Sequence, residues 1–213
     1  MLIIDKKTLL NWFKLASEIL NEKESYLTEL DAPIGDADHG RNIAKGFRTV
    51  IEMHEVNVPF DIKGLLRNAG MILMSKVGGA SGMLYSNLFL QMSKKIDPGI
   101  NKVQVNDFIQ LFEAGVQGII GGVRASVGDK TMIDVWVPFI ETWKKNSAMK
   151  LTEIMNLLIK EAKVNVRKTI PLIAKKGRAS YLGERSRGHQ DPGATSSYYI
   201  ILGLRKAIYA AAA

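Results

Sequence analysis

The sequence predicts an all-α protein, an antiparallel bundle or barrel of about eight helices, on three observations. Apolar residues recur at helical spacing through most of the chain. Val and Ile alternation at period two is nowhere sustained, which argues against a sheet. The segments between the apolar stripes are short, and short connections favour antiparallel packing of neighbouring helices.

The first stripe is Leu9, Trp12, Phe13, Ala16, Ile19 and Leu20, with Asp5 placed to cap its helix. Residues 41–54 form the second segment. Ile62, Leu65, Leu66, Ala69, Leu73 and Val77 repeat the pattern, and residues 82–95 follow. Val105, Phe108, Ile109, Phe112, Val116, Ile119 and Ile120 mark the next helix. Residues 132–145, 151–175 and 194–211 complete the set. Pro98-Gly99 reads as a turn inside the domain. With no internal repeat, low-complexity tract or linker, residues 1–213 read as a single domain. The longest irregular stretch, 177–193, has the glycines and few apolar residues of a flap over a ligand.

Composition narrows the chemistry. The 213 residues suffice for one hydrophobic core, and 46% hydrophobic with 23% charged residues is ordinary for a soluble globular protein. Cysteine is absent, which excludes disulfides, thiolate zinc sites and a cysteine nucleophile and fits a reducing, cytoplasmic setting. The N-terminus lacks the pattern of a signal peptide, and no run of 18 uncharged apolar residues marks a membrane span. A net charge of +8 suggests anionic partners. The basic residues are dispersed, without the aromatic interleaving of a nucleic-acid surface, so nucleic acid is not the expected partner.

The segment Asp31-Ala-Pro-Ile-Gly-Asp36-Ala-Asp38-His39-Gly40 carries the most chemistry. Pro33 and Gly35 break any helix there and place the aspartates on an inter-helical loop. Crowded carboxylates repel one another, and a cation relieves the repulsion. Oxygen-only ligands suit magnesium or calcium, but the sequence lacks the pattern of an EF-hand. A solvated turn with Asp36 or Asp38 as a helix cap explains the same residues. His39-Gly40-Arg41-Asn42 opens the next helix, whose amides favour a phosphate. A lone histidine beside a carboxylate, as His39 is, is more often a structural hydrogen-bond partner than a catalyst.

Three further polar turns punctuate the chain. Val77-Gly-Gly-Ala80-Ser81-Gly82 lets backbone amides approach an anion, or simply makes a tight connection. It lacks the lysine of a Walker A loop. In Gly128-Asp129-Lys130-Thr131-Met132, Asp129 or Thr131 suits a cap, and Lys130 reaches a phosphate or solvent. In the long loop, Arg178 offers planar recognition of phosphate or is merely exposed, and Gly188-His-Gln-Asp191-Pro192-Gly193 precedes the last helix.

These four blocks, GDADHG at 35–40, GGASG at 78–82, GDKTM at 128–132 and GRASYLGERS-x-GHQDPGATS at 177–196, resemble the L subunit of dihydroxyacetone kinase in order and spacing over nearly the whole chain. The resemblance implies an antiparallel eight-helix barrel with a nucleotide at one end. It implies ADP or ATP held through two magnesium ions on Asp31, Asp36 and Asp38. His39, Gly40, Arg41 and Asn42 match the phosphate-lining segment, Ala80 and Ser81 match nucleotide contacts, and Met132 matches a residue near the adenine. Arg178, Asp191, Pro192 and Gly193 match the closing flap. The family's glycine contact falls on Val123 or, one place away, on Gly122. Met83 and Ser86 depart from the family's proline and glycine.

By the same likeness, dihydroxyacetone is bound by a separate K subunit. A phosphohistidine protein of the phosphotransferase system, the M subunit, rephosphorylates ADP in place as a retained coenzyme. The absence of a fused K-type segment favours this phosphoenolpyruvate-using type. A transcriptional regulator is a further partner that the family brings. The rival readings are the nucleotide domain of a fatty-acid-kinase-like enzyme and a non-catalytic regulatory module.

Overall fold

The apolar stripes become the inner wall of a closed ring of helices. The computed structural model describes residues 3–55 and 61–213. Its helices are α1 (Lys6–Glu22), α2 (Glu24–Asp31), α3 (His39–Glu55), α4 (Ile62–Lys76), α5 (Gly79–Lys94), α6 (Val105–Val123), α7 (Ile133–Lys145), α8 (Leu151–Lys168) and α9 (Pro192–Ala212). Around the ring α1 packs on α3, α3 on α4, and so on through α9, which returns to α1. Eight helices therefore close the barrel, as the sequence predicts. The short α2 is an addition, packed outside the ring order against α3 and α9.

Local chemistry sets the helix ends. The Asp5 carboxylate accepts the Thr8 N–H at 2.8 Å and caps α1. Asp61 caps α4 through the Gly64 N–H and also accepts the Gly99 N–H, and these bonds hold its carboxyl below the usual range. The α8 helix stops at Lys168, short of the expected 175. Pro171 disfavours helical backbone at Ile170, and the Thr169 hydroxyl turns back to the Val166 carbonyl at 2.6 Å. One short sheet exists among the described residues: β1 (Ile3–Asp5) pairs antiparallel with β2 (Lys102–Gln104), Ile4 opposite Val103. Strands of three residues leave no sustained alternation to read, which is why the sequence argued against them.

The barrel interior is filled by aromatic rings. Trp12 stacks on Phe13 at 5.3 Å and meets Phe112 at 5.4 Å, and Phe112 meets Phe139 at 5.5 Å and Trp136 at 6.1 Å. Such offset and edge contacts add to the apolar burial that drives closure. The α1–α9 seam carries a polar stitch as well: the Trp12 indole N–H donates to the Ile200 carbonyl at 2.9 Å. Close approach there requires Gly203, because a Cβ at that position would lie 2.8 Å from the Ala16 nitrogen and 2.9 Å from its Cα. Backbone cannot yield as a side chain does. Gly203→Ala is therefore expected to cost about 1–3 kcal/mol, a fall in Tm of very roughly 2–10 °C for a domain of this size. Thermal unfolding followed by circular dichroism measures it.

Candidate functional site

Up-and-down winding brings alternate connections to the same rim. The segments 32–38, 77–78, 124–132 and 169–191 meet there, and so do the N-termini of α3, α5, α7 and α9. Helix N-termini carry unpaired amides and a positive dipole end, so this rim favours anions and their counter-cations.

Three carboxylates gather at its mouth. Asp31 is buried as the last residue of α2, and its Oδ2 accepts the amides of Asp38 at 3.1 Å and His39 at 3.2 Å. The chain then has to turn sharply, and Ala37 adopts φ 58°, a left-handed conformation uncommon outside glycine. One carboxylate oxygen from each of Asp31, Asp36 and Asp38 lies within 4.8 Å of the others. Gly35 is a condition of this geometry, since a Cβ there would sit 2.0 Å from Asp31 Oδ1. An all-oxygen donor set of this kind fits a hard divalent cation such as magnesium.

His39 opens α3 and is buried between two hydroxyls. Its Nδ1 lies 3.1 Å from Ser81 Oγ and its Nε2 2.9 Å from Ser196 Oγ. Ser196 also meets the Tyr85 hydroxyl at 2.7 Å, and Tyr85 meets Ser197 at 2.9 Å. Burial lowers the imidazole pKa, with Asp31, Asp38 and Asp36 opposing the shift. A neutral ring donates from one nitrogen and accepts at the other, so it joins α3, α5 and α9 through one network. On α5, no side chain caps the first turn, whose Gly78–Ser81 amides border the cavity. Gly79 has φ 66°.

The 128–132 turn is built differently from expectation. Asp134 accepts the amides of Gly128 at 2.6 Å and Thr131 at 2.7 Å, and Asp129 accepts the Ser126 amide at 2.9 Å. Of the two expected caps, Thr131 accepts the Ile133 amide at 3.2 Å at the start of α7, while Asp129 bonds back to Ser126 instead. Lys130 is 1% exposed and borders the cavity, but its ammonium is turned to backbone carbonyls. Across the cavity the covering loop contains a 3-10 segment, Arg178–Ser186. Ala174 and Ala179, with Leu182 beside them, pack on Ile34 and seat this loop against the aspartate segment. The Arg178 guanidinium reaches Asp36 Oδ2 at 2.7 Å, so it is neither free nor merely exposed.

Asp191 caps α9 through the Ala194 amide at 2.6 Å, with Pro192 at the first helical position. Desolvation raises its pKa from 3.8 to about 7, with Asp134 and Asp31 adding and the Ala194 bond and Lys130 opposing.

The sequence-predicted residues largely converge on one cavity. Asp31, Asp36, Asp38, His39 and Asn42 line one wall, Ala80 and Ser81 a second, Met132 a third, and Arg178, Asp191, Pro192 and Gly193 the fourth. Gly40, Arg41 and Gly122 lie outside the lining. Gly40 serves packing, since a Cβ there would lie 2.1 Å from the Glu24 carbonyl oxygen. Arg41 is exposed on the outer face of α3. Gly122 sits behind Leu84, which does line the cavity, and the Val123 side chain lies outside the described residues. Gly35, Thr131 and Gly177 line the cavity without having been assigned as ligand contacts. Each adjoins a predicted residue inside a motif block, which is the signal that was available.

A DAK2 domain profile matches residues 33–206. The chain belongs to the DAK2 domain family. This DAK2 chain is 40% identical over 200 residues to the PEP-dependent dihydroxyacetone kinase, ADP-binding subunit DhaL, of Escherichia coli, covering 93% of this chain and 95% of the relative. It is 42% identical over 200 residues to the PTS-dependent counterpart of Lactococcus lactis, covering 94% and 95%. The fold of the DAK2 chain matches the crystal structure of the dihydroxyacetone kinase of C. freundii with a TM-score of 0.70 at 24% identity, over 93% of this chain and 34% of that one. The same kinase in complex with AMP-PNP and Mg2+ matches with a TM-score of 0.71 over 92% and 33%.

Two outcomes follow from the geometry. Gly35→Ala displaces the Asp31 carboxylate, so isothermal titration should show magnesium affinity falling at least about tenfold with helicity unchanged. Asp191 makes stability pH-dependent. Its folded pKa lies above the ordinary value, so its protonation favours the fold at low pH, and that contribution is lost as pH rises from about 4 to about 7. Asp191→Asn retains a capping side chain without the charge. Its Tm relative to wild type should climb through that window and level off above it.

Proposed function

We propose that this chain is the ADP-binding subunit of a dihydroxyacetone kinase that draws its phosphoryl group from phosphoenolpyruvate, acting in the cytoplasm. The observation that carries the reading is the meeting of Asp31, Asp36 and Asp38 with the uncapped first turn of α5 around one covered cavity. The near-complete overlap with the E. coli and L. lactis subunits, at 40% and 42% identity, supports the same assignment.

In this reading Asp31, Asp36 and Asp38 would hold two magnesium ions, and the first turns of α3 and α5 would receive the diphosphate. What magnesium supplies when bound is neutralisation of the phosphate oxygens and their alignment for in-line transfer. The amides of Gly79–Ser81 and the Asn42 side chain add donors along the phosphates. His39 holds the Ser81 and Ser196 hydroxyls in place, with both of its ring nitrogens engaged. Met132 and Leu84 offer an apolar face to the adenine. Arg178 covers the phosphates from the loop, exchanging its Asp36 partner for an anion. The loop excludes water, which protects the transferable phosphoryl group from hydrolysis.

No side chain of the cavity is placed as a phosphoryl-accepting nucleophile. As the family resemblance implies, the phosphoryl group passes between ADP bound here and two partners, a phosphohistidine carrier (the M subunit) that charges it and a K subunit that presents dihydroxyacetone. A nucleotide that is recharged in place has to stay bound, so gel filtration of the purified protein should retain ADP at close to one per chain. Asp36→Ala should elute nucleotide-free and lose magnesium-dependent ADP binding by about 100-fold or more, as expected for removal of a charged ligand to the metal. Unchanged binding in that variant sinks the metal assignment.

A further inference from the structure

Lys130 is a buried cation with no carboxylate in contact among the described residues. Its Nζ donates to the carbonyl oxygens of Thr169 at 2.9 Å, Leu172 at 3.1 Å and Ile170 at 3.4 Å, and to that of His189. An ammonium has three donor hydrogens, and here backbone oxygens take all of them. A buried charge survives only when so completely hydrogen-bonded. The four acceptors are not scattered. Thr169, Ile170 and Leu172 lie where α8 ends and the covering loop begins, and His189 lies where that loop ends.

Other bonds converge on the same neck. The Gly188 amide donates to the Ile170 carbonyl at 2.8 Å, and the Asp191 amide to the Thr169 hydroxyl at 3.0 Å. The Lys175 amide donates to the Asp129 carbonyl at 3.1 Å, while the Lys175 ammonium lies 3.4 Å from Asp129 Oδ1. Lys130 itself holds φ 61°, a conformation a lysine adopts only when its surroundings impose it. The adjacent Thr131 and Met132 line the cavity. One side chain thus fastens both ends of the covering loop to the turn that forms the opposite wall.

We propose that Lys130 is a positioning residue that clamps the neck of the covering loop and so sets how long a bound nucleotide remains. The role rests on the nucleotide reading for its effect, though the clamp itself does not. Lys130 borders the cavity, but its ammonium is committed to backbone carbonyls. It acts through the loop, where Arg178, and through the α9 start, where Asp191–Gly193, face the cavity.

The test compares wild type with Lys130→Met and with Lys130→Cys alkylated by 2-bromoethylamine before refolding. The native chain has no cysteine, so the reagent's thioether forms at position 130 alone and restores an ammonium of near-lysine reach. Two quantities are measured: release of ADP from the magnesium complex in a displacement experiment, and amide hydrogen exchange over 177–188 without nucleotide. In Lys130→Met, ADP release should quicken at least about tenfold, the loss expected for a hydrogen-bonded charge, and loop amides should exchange faster while those of α4 and α5 do not change. The alkylated variant should return both toward wild type, a rescue that a general loss of packing would not show. Wild-type release and loop exchange in Lys130→Met, or failure of the alkylated protein to recover either, overturns the clamp. If Lys130→Met does not fold, the alkylated protein decides alone: slow release supports the proposal, and a folded protein with fast release overturns it. If wild type itself binds no ADP, the functional reading fails, and loop exchange alone still decides the clamp.

Discussion

The site depends on ring closure. When α9 returns to α1, with Trp12 donating to the Ile200 carbonyl and Gly203 pressed on Ala16, the eight-helix circuit has a fixed circumference. That constraint puts the first turn of α9 beside the first turns of α3 and α5. Only then do His39, Ser81, Tyr85 and Ser196 come within hydrogen-bonding distance of one another. A helix pair taken alone supplies a few amides; the closed circuit supplies a walled pocket.

Within that frame, rigidity and mobility are divided. The aspartate segment is fixed by the Asp31 carboxylate, which accepts two amides across its own turn, and by the close passage of Gly35. The covering loop is held at its neck by Lys130 and at its middle by the small apolar contact of Ile34 with Ala174 and Ala179. Little apolar area anchors the loop's outer part, where Tyr181 is 89% exposed. Elements with few buried contacts open at low free energy, which suits a cover that admits a ligand.

Much of this was legible in the sequence because it obeys local rules. The helical period at Leu9–Leu20 and Val105–Ile120 gave the barrel wall, and Asp5 gave a cap that the structure uses. The clustered carboxylates and most cavity residues announced themselves as polar glycine turns. What stayed hidden is what requires a third dimension. The α2 helix escaped notice because it has eight residues and buries little beyond Leu27 and Asp31, too short for a period to show. Lys130 looked like a surface or phosphate-seeking lysine because its four acceptors are backbone carbonyls up to 59 positions away. Gly40 and Arg41 share a motif block with His39 yet face other ways, since successive residues on a helix point about 100° apart.

The circuit also bears on how the chain reaches its fold. Every wall helix but the closing pair packs against its neighbour in sequence, so most of the barrel assembles from contacts of short range, the topology that folds fast. The α1–α9 seam is different, joining residues 188 positions apart. The entropy of drawing distant segments together is concentrated there. The rim where the four polar turns meet is thus completed by the contact that costs the most chain entropy to make.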